Sequence, residues 1–539
     1  MTSKRLRFHL GRYEHRVEKL RQEWIQSSVL TRLWSKDPTL WLNQDSDEIS
    51  ARLGWLDLPV RLHVQMDSLK RYIDELHSES IQNVILIGMG GSSLAPEVLH
   101  NVYGPRKGCP QLIVCDSTHP DRINEIAGRI DPSTSHFLVS SKSGTTLETI
   151  SLFRYFWDLL KRSDLNPGHY FTAITDNETP LYTEAQKLGF RRIFRGRSDV
   201  GGRFSALSEF GIIPALLTGI EIDSAEKILK ADSPYSEDSR AGLLLGAFLG
   251  EIAGGADKLT FIMSSRFASF PTWIEQLIAE SLGKDGKGVI PIIGEPLLPI
   301  EEYGTDRSFV IYEDQSGGDG RSTSLSSSLR EAGFPVVVVE INQPDQILSE
   351  MFRWEVAVAC AGMALNINPF DQPDVQSAKN YTQDVMSCGF GLDHVLAEDR
   401  EPAQAVDHLI SQASAHDYVA LQVFLAPNDR TDELLLSLRQ KIRQRTGLAT
   451  TVGYGPRFLH STGQLHKGGP DEGVFIQIVD QPQRDIPVPG SDYTFTQMVA
   501  AQAYGDYSAL KKSGRKVVRF DLGKDSQAAL KALTLSLSP

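Results

Sequence analysis

Short apolar runs alternate with helical stretches over most of this 539-residue chain. After residue 80, each run is followed by Gly, Ser, Thr or Asp and then by a stretch with helical spacing. Such alternation predicts βαβ units, in which parallel strands are buried on both faces of a sheet. The first series of predicted strands is 83–90, 111–116, 136–141 and 170–176.

A second series of the same kind follows, and a shorter third series begins near residue 400. The strands predicted for these two series are 258–264, 288–294, 308–314, 335–341, 418–426 and 473–480. The pattern predicts an α/β protein with two tandem α/β/α domains and parallel sheets, a helical N-terminal segment and a smaller C-terminal α/β module. The predicted boundaries are 1–80, 81–225, 226–398 and 399–539.

Composition and charge then limit the classes of function. A formal net charge of −13 argues against nucleic acid or an anionic membrane as the main partner, but it permits a local cationic site for a small anion. The four cysteines form no C-x-x-C pair, so neither a zinc site nor a disulfide framework is predicted, and a cytoplasmic protein is expected. We find no apolar run of the length that a membrane span or a signal peptide needs.

The segment "IGMGGSSLAPEVL" (87–99) follows a predicted strand and opens a predicted helix. Its glycines, Gly91 among them, allow close backbone approach, and Ser92 adds a hydroxyl beside the N–H groups of a helix N-terminus. We therefore expect phosphate binding here. Two alternatives stay open: a tight strand-to-helix turn, and a dinucleotide site, for which Ser93 stands where the fingerprint has glycine and Asp116 is the acidic residue.

The segment "SSKSGTTLET" (140–149) is a second turn of this type. A helix N-cap that includes Glu148 would explain one of its hydroxyl groups, but not four of them beside Lys142. We expect the two turns to hold one phosphate group from two sides. The four hydroxyl residues that can donate to phosphate oxygens are Ser141, Ser143, Thr145 and Thr146.

Later segments carry groups suited to proton transfer. Arg203 follows two glycines, and its guanidinium can stabilise a developing oxyanion, although a surface arginine is the plain alternative. Gln276 and Glu280 lie four residues apart on one predicted helix face, where Glu280 is either a general base or a solvated side chain. The spacing of His460 and His466 in "RFLHSTGQLHKGGP" does not favour a metal site.

Taken together, five segments resemble the phosphoglucose isomerase family. They occur in the family's order and cover roughly residues 80–385, and the variety is similar to the isomerase half of bacterial transaldolase/phosphoglucose isomerase fusions. The segments are "IGMGGSSLAPEVL", "SSKSGTTLET", "GGRFSALSEFGIIPALL", "ESLGKDGKG" and "NPFDQPDVQSAK".

The resemblance implies two sugar-isomerase (SIS) domains and a set of site residues. It implies Glu280 as the general base, Arg203 as the group that stabilises an enediolate, and Lys379 as an aid to ring opening. The substrate-binding and phosphate-binding residues that it implies are Gly91, Ser92, Ser141, Lys142, Ser143, Thr146, Glu148, Gln276 and Gln372.

One feature departs from the family. Many members have a ring-opening histidine between the base and the final lysine, but the chain has no histidine between Glu280 and Lys379. We therefore expect the C-terminal module to supply the histidine, either His466 or His460. Because a site residue of the family often comes from a partner subunit, this contribution can be made across a homodimer.

The implied reaction is the reversible isomerisation of glucose 6-phosphate to fructose 6-phosphate through a cis-enediolate, with no metal and no other cofactor. A sugar phosphate is the expected partner, a transaldolase is a possible functional one, and nucleic acid and membrane are not expected. Two alternatives remain: a non-catalytic SIS-type sugar-phosphate sensor, and a dual phosphoglucose/phosphomannose isomerase, although such enzymes tend to have "SGNT" where this chain has "SGTT".

Overall fold

The structure is a computed structural model, and it contains three parallel or mostly parallel β-sheets surrounded by helices. For residues 60–68, 321–322 and 387–388 it describes the backbone alone. The residues that the structure describes are 5–41, 47–221, 233, 236–314, 321–388 and 401–537.

The first sheet has five parallel strands in the order β3-β2-β4-β5-β6. All six residues of β4 are buried, which agrees with the unbroken apolar runs of the sequence. Because β3 and β4 lie on opposite sides of β2, the connections reverse direction there, and a crevice opens at the carboxyl ends of β2 and β4. The strands are β2 (Asn83–Gly88), β3 (Gln111–Cys115), β4 (Ser135–Ser140), β5 (Phe171–Asp176) and β6 (Arg192–Gly196).

The second sheet, in the order β1-β10-β9-β7-β8, includes a strand from the N-terminal segment. That strand, β1 (Leu6–His9), pairs antiparallel with β10, and the other pairs are parallel. The pattern of the sequence predicts only helices before residue 80, so β1 is a strand that was not predicted. The other strands are β7 (Lys258–Ile262), β8 (Ile290–Ile292), β9 (Arg307–Glu313) and β10 (Val336–Glu340).

The third sheet forms the core of the C-terminal module, with four parallel strands in the order β12-β11-β13-β14. Two of them, β12 and β14, were not predicted, because their runs are short and mix charged or hydroxyl residues with apolar ones. The strands are β11 (Tyr418–Phe424), β12 (Ala449–Tyr454), β13 (Gly473–Val479) and β14 (Lys516–Asp521).

Helices connect the strands and cover the sheets. In the described residues, no helix combines the length and the apolar character that crossing a membrane requires. The α-helices are Glu14–Gln26, Val29–Trp34, Asp47–Ser50, Leu58–Ser78, Leu94–Tyr103, Pro120–Arg129, Leu147–Arg162, Pro167–Tyr170, Pro180–Lys187, Glu209–Leu217, Glu237–Ile252, Phe270–Leu282, Arg321–Glu331, Gln346–Leu365, Val375–Cys388, Pro402–Ser411, Asp429–Thr446, Gly463–Gly468, Phe495–Lys512 and Ser526–Ser536.

The predicted α/β architecture with parallel sheets is confirmed, and each sheet leads into the cleft described below. Strands β2 and β4 lead into the two phosphate-type turns, β7 precedes the helix Phe270–Leu282, and β12 precedes the turn Arg457–His460. The boundaries at residues 80, 225 and 398 stay predictions.

A buried ionic cluster joins the second sheet to the C-terminal module. Glu295 Oε2 accepts from Arg307 NH2 at 2.7 Å and lies 2.9 Å from Arg443 NH1, while Glu295 Oε1 accepts from the backbone N–H of Thr450 at 2.8 Å. The side chains of all three charged residues are about 1% exposed or less. Removal of the carboxylate would leave two buried guanidinium groups without their counter-charge.

We predict that Glu295→Gln lowers the free energy of unfolding by about 3 kcal/mol, because the substitution keeps the shape and removes the charge. Urea unfolding would measure the difference. The control is Glu433→Gln, which breaks an exposed pair with Arg430 (side chains 67% and 54% exposed) and should change stability little. Equal effects of the two variants would contradict the structural role of the cluster.

Candidate active site

The glycine turn, residues 88–93, follows β2 and is packed tightly against the segment that carries Arg203. A Cβ atom at Gly91 would lie only 2.0 Å from the backbone oxygen of Gly202, so no larger residue fits there without a shift. Gly90 has φ +55°, a conformation that glycine adopts without strain. Both glycines and Ser92 line a cleft of about 760 Å³. The glycines thus allow the turn to pack directly against the backbone of Gly202, and phosphate binding at this turn stays a prediction.

The hydroxyl turn, residues 140–149, follows the neighbouring strand β4 and lines the same cleft with Ser143, Thr145 and Thr146. Ser141 lies behind them, with its Oγ 3.1 Å from Thr146 Oγ1. Thr146 is the N-cap of the helix Leu147–Arg162, but its side chain makes no capping hydrogen bond. A simple capping role therefore does not account for these hydroxyl groups.

Lys142 lines the cleft, but its ammonium group is already bonded to protein atoms. Lys142 Nζ donates to Asp176 Oδ2 at 2.5 Å, and it also donates to the backbone oxygen of Arg197. Burial lowers the pKa of Lys142, and the Asp176 carboxylate opposes that shift. The charge of this lysine is therefore largely balanced within the protein.

A buried carboxylate–guanidinium pair forms another part of the cleft. Arg203 NH1 donates to Glu280 Oε2 at 3.2 Å, and Arg203 Nε donates to Ser281 Oγ at 2.7 Å. Arg203 NH2 donates to the backbone oxygens of Pro369 and Asp371 at 2.6 and 2.8 Å, so the guanidinium is held from several sides. Its orientation is thus set by backbone as well as by side chains.

The pKa of Glu280 is raised above its usual value because the carboxyl group is buried, although Arg203 and Gln276 oppose the shift. Gln276, one turn earlier on the helix Phe270–Leu282, donates from Nε2 to Glu280 Oε1 at 3.3 Å and to the backbone oxygen of His460 at 2.9 Å. A buried carboxylate with a raised pKa and a fixed cation at 3.2 Å is suited to proton transfer.

The two candidate histidines lie in different environments. His460 lines the cleft, and its Nε2 lies 2.8 Å from Glu148 Oε1. Burial alone would lower the pKa of His460, but the Glu148 carboxylate raises it above the usual value, so the charged imidazolium is favoured. Glu148, in turn, accepts from Gln502 Nε2 at 2.6 Å.

His466 does not reach the cleft. It is buried in the C-terminal module between the rings of Phe458 and Phe475, and its Nδ1 lies 3.2 Å from Gln422 Nε2. Burial holds its pKa well below the usual value, which favours the neutral ring. Of the two histidines predicted from the sequence, His466 is therefore the one that the structure places away from the cleft, because the packing of the C-terminal module buries it between aromatic rings.

Two further expected residues, Lys379 and Gln372, also line the cleft. Gln372 Oε1 accepts from Arg203 NH1 at 3.4 Å, and the exposed Lys379 lies on the helix Val375–Cys388. The structure thus brings all the expected site residues to one cleft except Ser141, which supports it, and His466.

Several cleft residues were not expected from the sequence, and three of them are Arg52, Lys467 and Gln502. Lys467 donates to Asp506, and Gln502 donates to Glu148. None of the three lies in a recognisable motif, since Arg52 belongs to the N-terminal segment and the others to the C-terminal module. The sequence signal near Lys467 is the "HKGG" stretch in which this residue lies.

Comparison with solved structures shows proteins of similar fold. The fold is similar to that of a hypothetical protein from Thermus thermophilus, with a TM-score of 0.58 and 22% identity over 71% of this chain and 100% of that one. It is also similar to a glucose-6-phosphate isomerase from Chlamydia trachomatis, with a TM-score of 0.56 and 17% identity over 73% of this chain and 89% of that one. The chain therefore shares the fold of these two proteins.

Sequence comparison is more specific. Residues 65–290 match the family model of phosphoglucose isomerase. A probable glucose-6-phosphate isomerase of Methanococcus maripaludis is 26% identical over 387 residues, 63% of this chain and 85% of the relative. The Campylobacter jejuni glucose-6-phosphate isomerase is 26% identical over 64% of this chain and 95% of the relative. The resemblance to phosphoglucose isomerase, and with it the prediction of an isomerase, is confirmed; Arg52, Lys379 and His460 lie outside the matched range.

We predict that Glu148→Gln lowers the pKa of His460 below its usual value of about 6.5, because burial then acts without the opposing carboxylate. An NMR titration of ring-labelled histidine would measure the shift. Buried His136, whose pKa burial lowers to about 3, is the internal control and should not move. A His460 pKa that stays raised in the variant would show that Glu148 is not the cause.

Proposed function

We propose that this chain interconverts glucose 6-phosphate and fructose 6-phosphate by proton transfer through a cis-enediolate, with Glu280 as the base. The observation that carries the proposal is the buried pair of Glu280 and Arg203, 3.2 Å apart, in the same cleft as the hydroxyl turn. A phosphate site alone would suit a sensor, whereas a buried base beside a fixed guanidinium is what enediolate chemistry requires.

The phosphate group binds first, at the hydroxyl turn and the glycine turn. Ser143, Thr145, Thr146 and Ser92 line this part of the cleft, and the helix Leu147–Arg162 begins there. N–H groups at a helix N-terminus attract anions, and the hydroxyl groups add hydrogen bonds. Binding energy from this end of the sugar holds the reacting carbons near the base.

Glu280 then removes the proton from C2 of the open aldose, and the electrons pass to the carbonyl oxygen at C1. Arg203 stabilises the negative charge of the enediolate while the proton of the C2 hydroxyl group passes to O1. Glu280 then returns its proton to C1 as the double bond shifts to C2 and O2, which completes the ketose. The raised pKa of Glu280 makes it a stronger base than an exposed carboxylate. Gln276 and Gln372 act as substrate-binding groups beside the pair.

Ring opening precedes this step and falls to His460. The imidazolium form, favoured by Glu148, protonates the ring oxygen while solvent takes the proton of the anomeric hydroxyl group. Lys379 assists from the helix Val375–Cys388. His460 reaches the cleft from the same chain as Glu280, so the proposal needs no residue from a partner subunit. The homodimer and the link to a transaldolase stay predictions.

We predict that Glu280→Gln reduces the conversion of fructose 6-phosphate to glucose 6-phosphate by about 10³-fold, because the amide cannot accept the proton that the ketose loses from C1. The assay contains a chelator, and formation of the aldose is followed. The matched control is Glu275→Gln on the same helix, whose carboxyl is buried outside the cleft with a pKa raised to about 8, so it should retain activity.

Loss of activity in both variants would point to damage of the helix and not to loss of the base. If the parent protein binds sugar phosphate but does not turn it over, the sensor is the better interpretation. Turnover of mannose 6-phosphate, measured in parallel, would establish the dual isomerase.

We predict that His460→Asn reduces kcat/KM for fructose 6-phosphate by about 100-fold but spares a substrate that has no ring to open. The comparison substrate is 5-deoxyfructose 6-phosphate, which lacks the oxygen that closes the furanose ring, and its rate should change less than about threefold in the variant. His466→Asn is the matched control and should leave both rates near those of the parent protein.

If His460→Asn lowers kcat/KM equally for the two substrates, His460 does not act in ring opening. If both histidine variants keep the kcat/KM of the parent protein for fructose 6-phosphate, ring opening is assigned to solvent or to Lys379.

A further inference from the structure

The charged groups of the cleft divide into those that are balanced by carboxylates and those that are not. Lys142 is paired with Asp176, Arg203 with Glu280 and Lys467 with Asp506. His460 is paired with Glu148. Two cationic residues that line the cleft, Arg52 and Lys379, make no ion pair with a carboxylate in the described part of the chain.

A sugar phosphate brings about two negative charges into this cleft at neutral pH. The hydroxyl groups and backbone N–H groups of the turns supply hydrogen bonds but no full positive charge. Lys142, the cation expected there from the sequence, donates to Asp176 and to the backbone oxygen of Arg197. Its ammonium group has at most one N–H left for a phosphate oxygen.

Arg52 is fixed on this side of the cleft by backbone contacts around it. Leu53 forms an antiparallel bridge with Val200, and the N–H of Gly54 donates to the backbone oxygen of Asp199 at 2.8 Å. A Cβ atom at Gly54 would lie 2.3 Å from the Asp199 carboxyl carbon, so the approach requires glycine. The residue that follows Arg52 is thereby paired with the segment 197–202, which leads from β6 to Arg203.

The guanidinium of Arg52 keeps most of its donors available. Arg52 NH1 donates to the backbone oxygen of Ser198 at 3.1 Å, which is its one side-chain hydrogen bond among the described residues. The carboxylates near this segment are engaged elsewhere: Asp57 with Lys36 and Arg197, and Asp199 with Arg197. Arg52 therefore has both the position and the unused donors that a phosphate group needs.

We propose that Arg52 is a phosphate-binding residue of this cleft. It supplies positive charge to the phosphate group, because the charge of Lys142 is neutralised by Asp176. Guanidinium groups bind phosphate through two parallel N–H···O bonds, which fixes orientation as well as charge. Arg52 touches the phosphate and not the carbons that react, so it contributes equally to substrate and transition state. This inference rests on the proposed function and names a further residue for it.

The test compares Arg52→Leu and Arg52→Lys with the parent protein. We expect Arg52→Leu to raise KM for fructose 6-phosphate about 10-fold to 100-fold while kcat stays within about twofold, as loss of uniform binding predicts. Arg52→Lys should recover part of the affinity, because the charge remains and the paired geometry is lost. Arg162→Leu, which removes an exposed arginine paired only with Asp158, is the control for net charge.

A second readout does not depend on turnover. Calorimetry with inorganic phosphate, and with sorbitol 6-phosphate against sorbitol, would measure binding at the phosphate end directly. We expect Arg52→Leu to lower the affinity for inorganic phosphate and for sorbitol 6-phosphate by about 10-fold or more. The affinity for sorbitol should not change.

Unchanged phosphate binding in a folded Arg52→Leu protein would overturn this inference while leaving the isomerase proposal intact. A fall in kcat with unchanged KM would also overturn it, since it would place Arg52 with the reacting atoms. If the parent protein binds these phosphates through Arg52 but converts no sugar phosphate, the isomerase proposal fails and the phosphate site remains.

Discussion

The buried guanidinium of Arg203 is the contact on which the rest of the cleft depends. It joins the carboxylate and the hydroxyl group at the end of the helix Phe270–Leu282 to two backbone oxygens of the loop 369–371. A charge buried in this way is stable only with its counter-charge and its hydrogen bonds in place. The same interaction therefore positions Glu280, the proposed base, holds the loop that leads to Gln372 and keeps a cation beside the Glu280 carboxylate.

The C-terminal module completes this arrangement instead of standing apart from it. Gln464, fully buried in the module, donates to the backbone oxygen of Gly283 at 3.0 Å and accepts from the backbone N–H of Asp374 at 3.0 Å. The helix Phe495–Lys512 packs so closely on Val375–Cys388 that a Cβ atom at Gly505 would lie 2.5 Å from Thr382 Oγ1. The module thus contacts the end of the helix Phe270–Leu282 and the helix Val375–Cys388, which carries Lys379. It also supplies His460.

Two cationic residues of the cleft are held by carboxylates with opposite pKa shifts. Arg203 and His460, to which the proposal gives chemical roles, each lie beside a carboxylate, at 3.2 and 2.8 Å. The pairs are unequal in effect, because burial raises the pKa of Glu280, whereas the pKa of Glu148 is lowered despite its burial. The shift makes Glu280 a stronger base than an exposed carboxylate, whereas Glu148 is the weaker base and raises the pKa of His460.

Much of the fold and of the cleft followed from local pattern. Apolar runs predicted the strands of the first two sheets except β1 and β6. The turns after β2 and β4 were located because Gly, Ser and Thr cluster where parallel strands end. Glu280, Gln276 and Arg203 were recognisable from their motifs. Each of these signals is confined to about ten neighbouring residues, which is the range over which backbone preference and side-chain periodicity act.

The pairings between distant segments could not be obtained in that way. Lys142 was expected to bind phosphate, but Asp176, the end of another strand, takes up its charge. His460 and His466 are equivalent in composition and spacing, and only the packing of the C-terminal module directs one to Glu148 and buries the other between aromatic rings. Arg52 has no motif at all, and it reaches the cleft because Leu53 pairs with Val200. Such contacts depend on how whole sheets pack together, and that packing is a property of the folded chain.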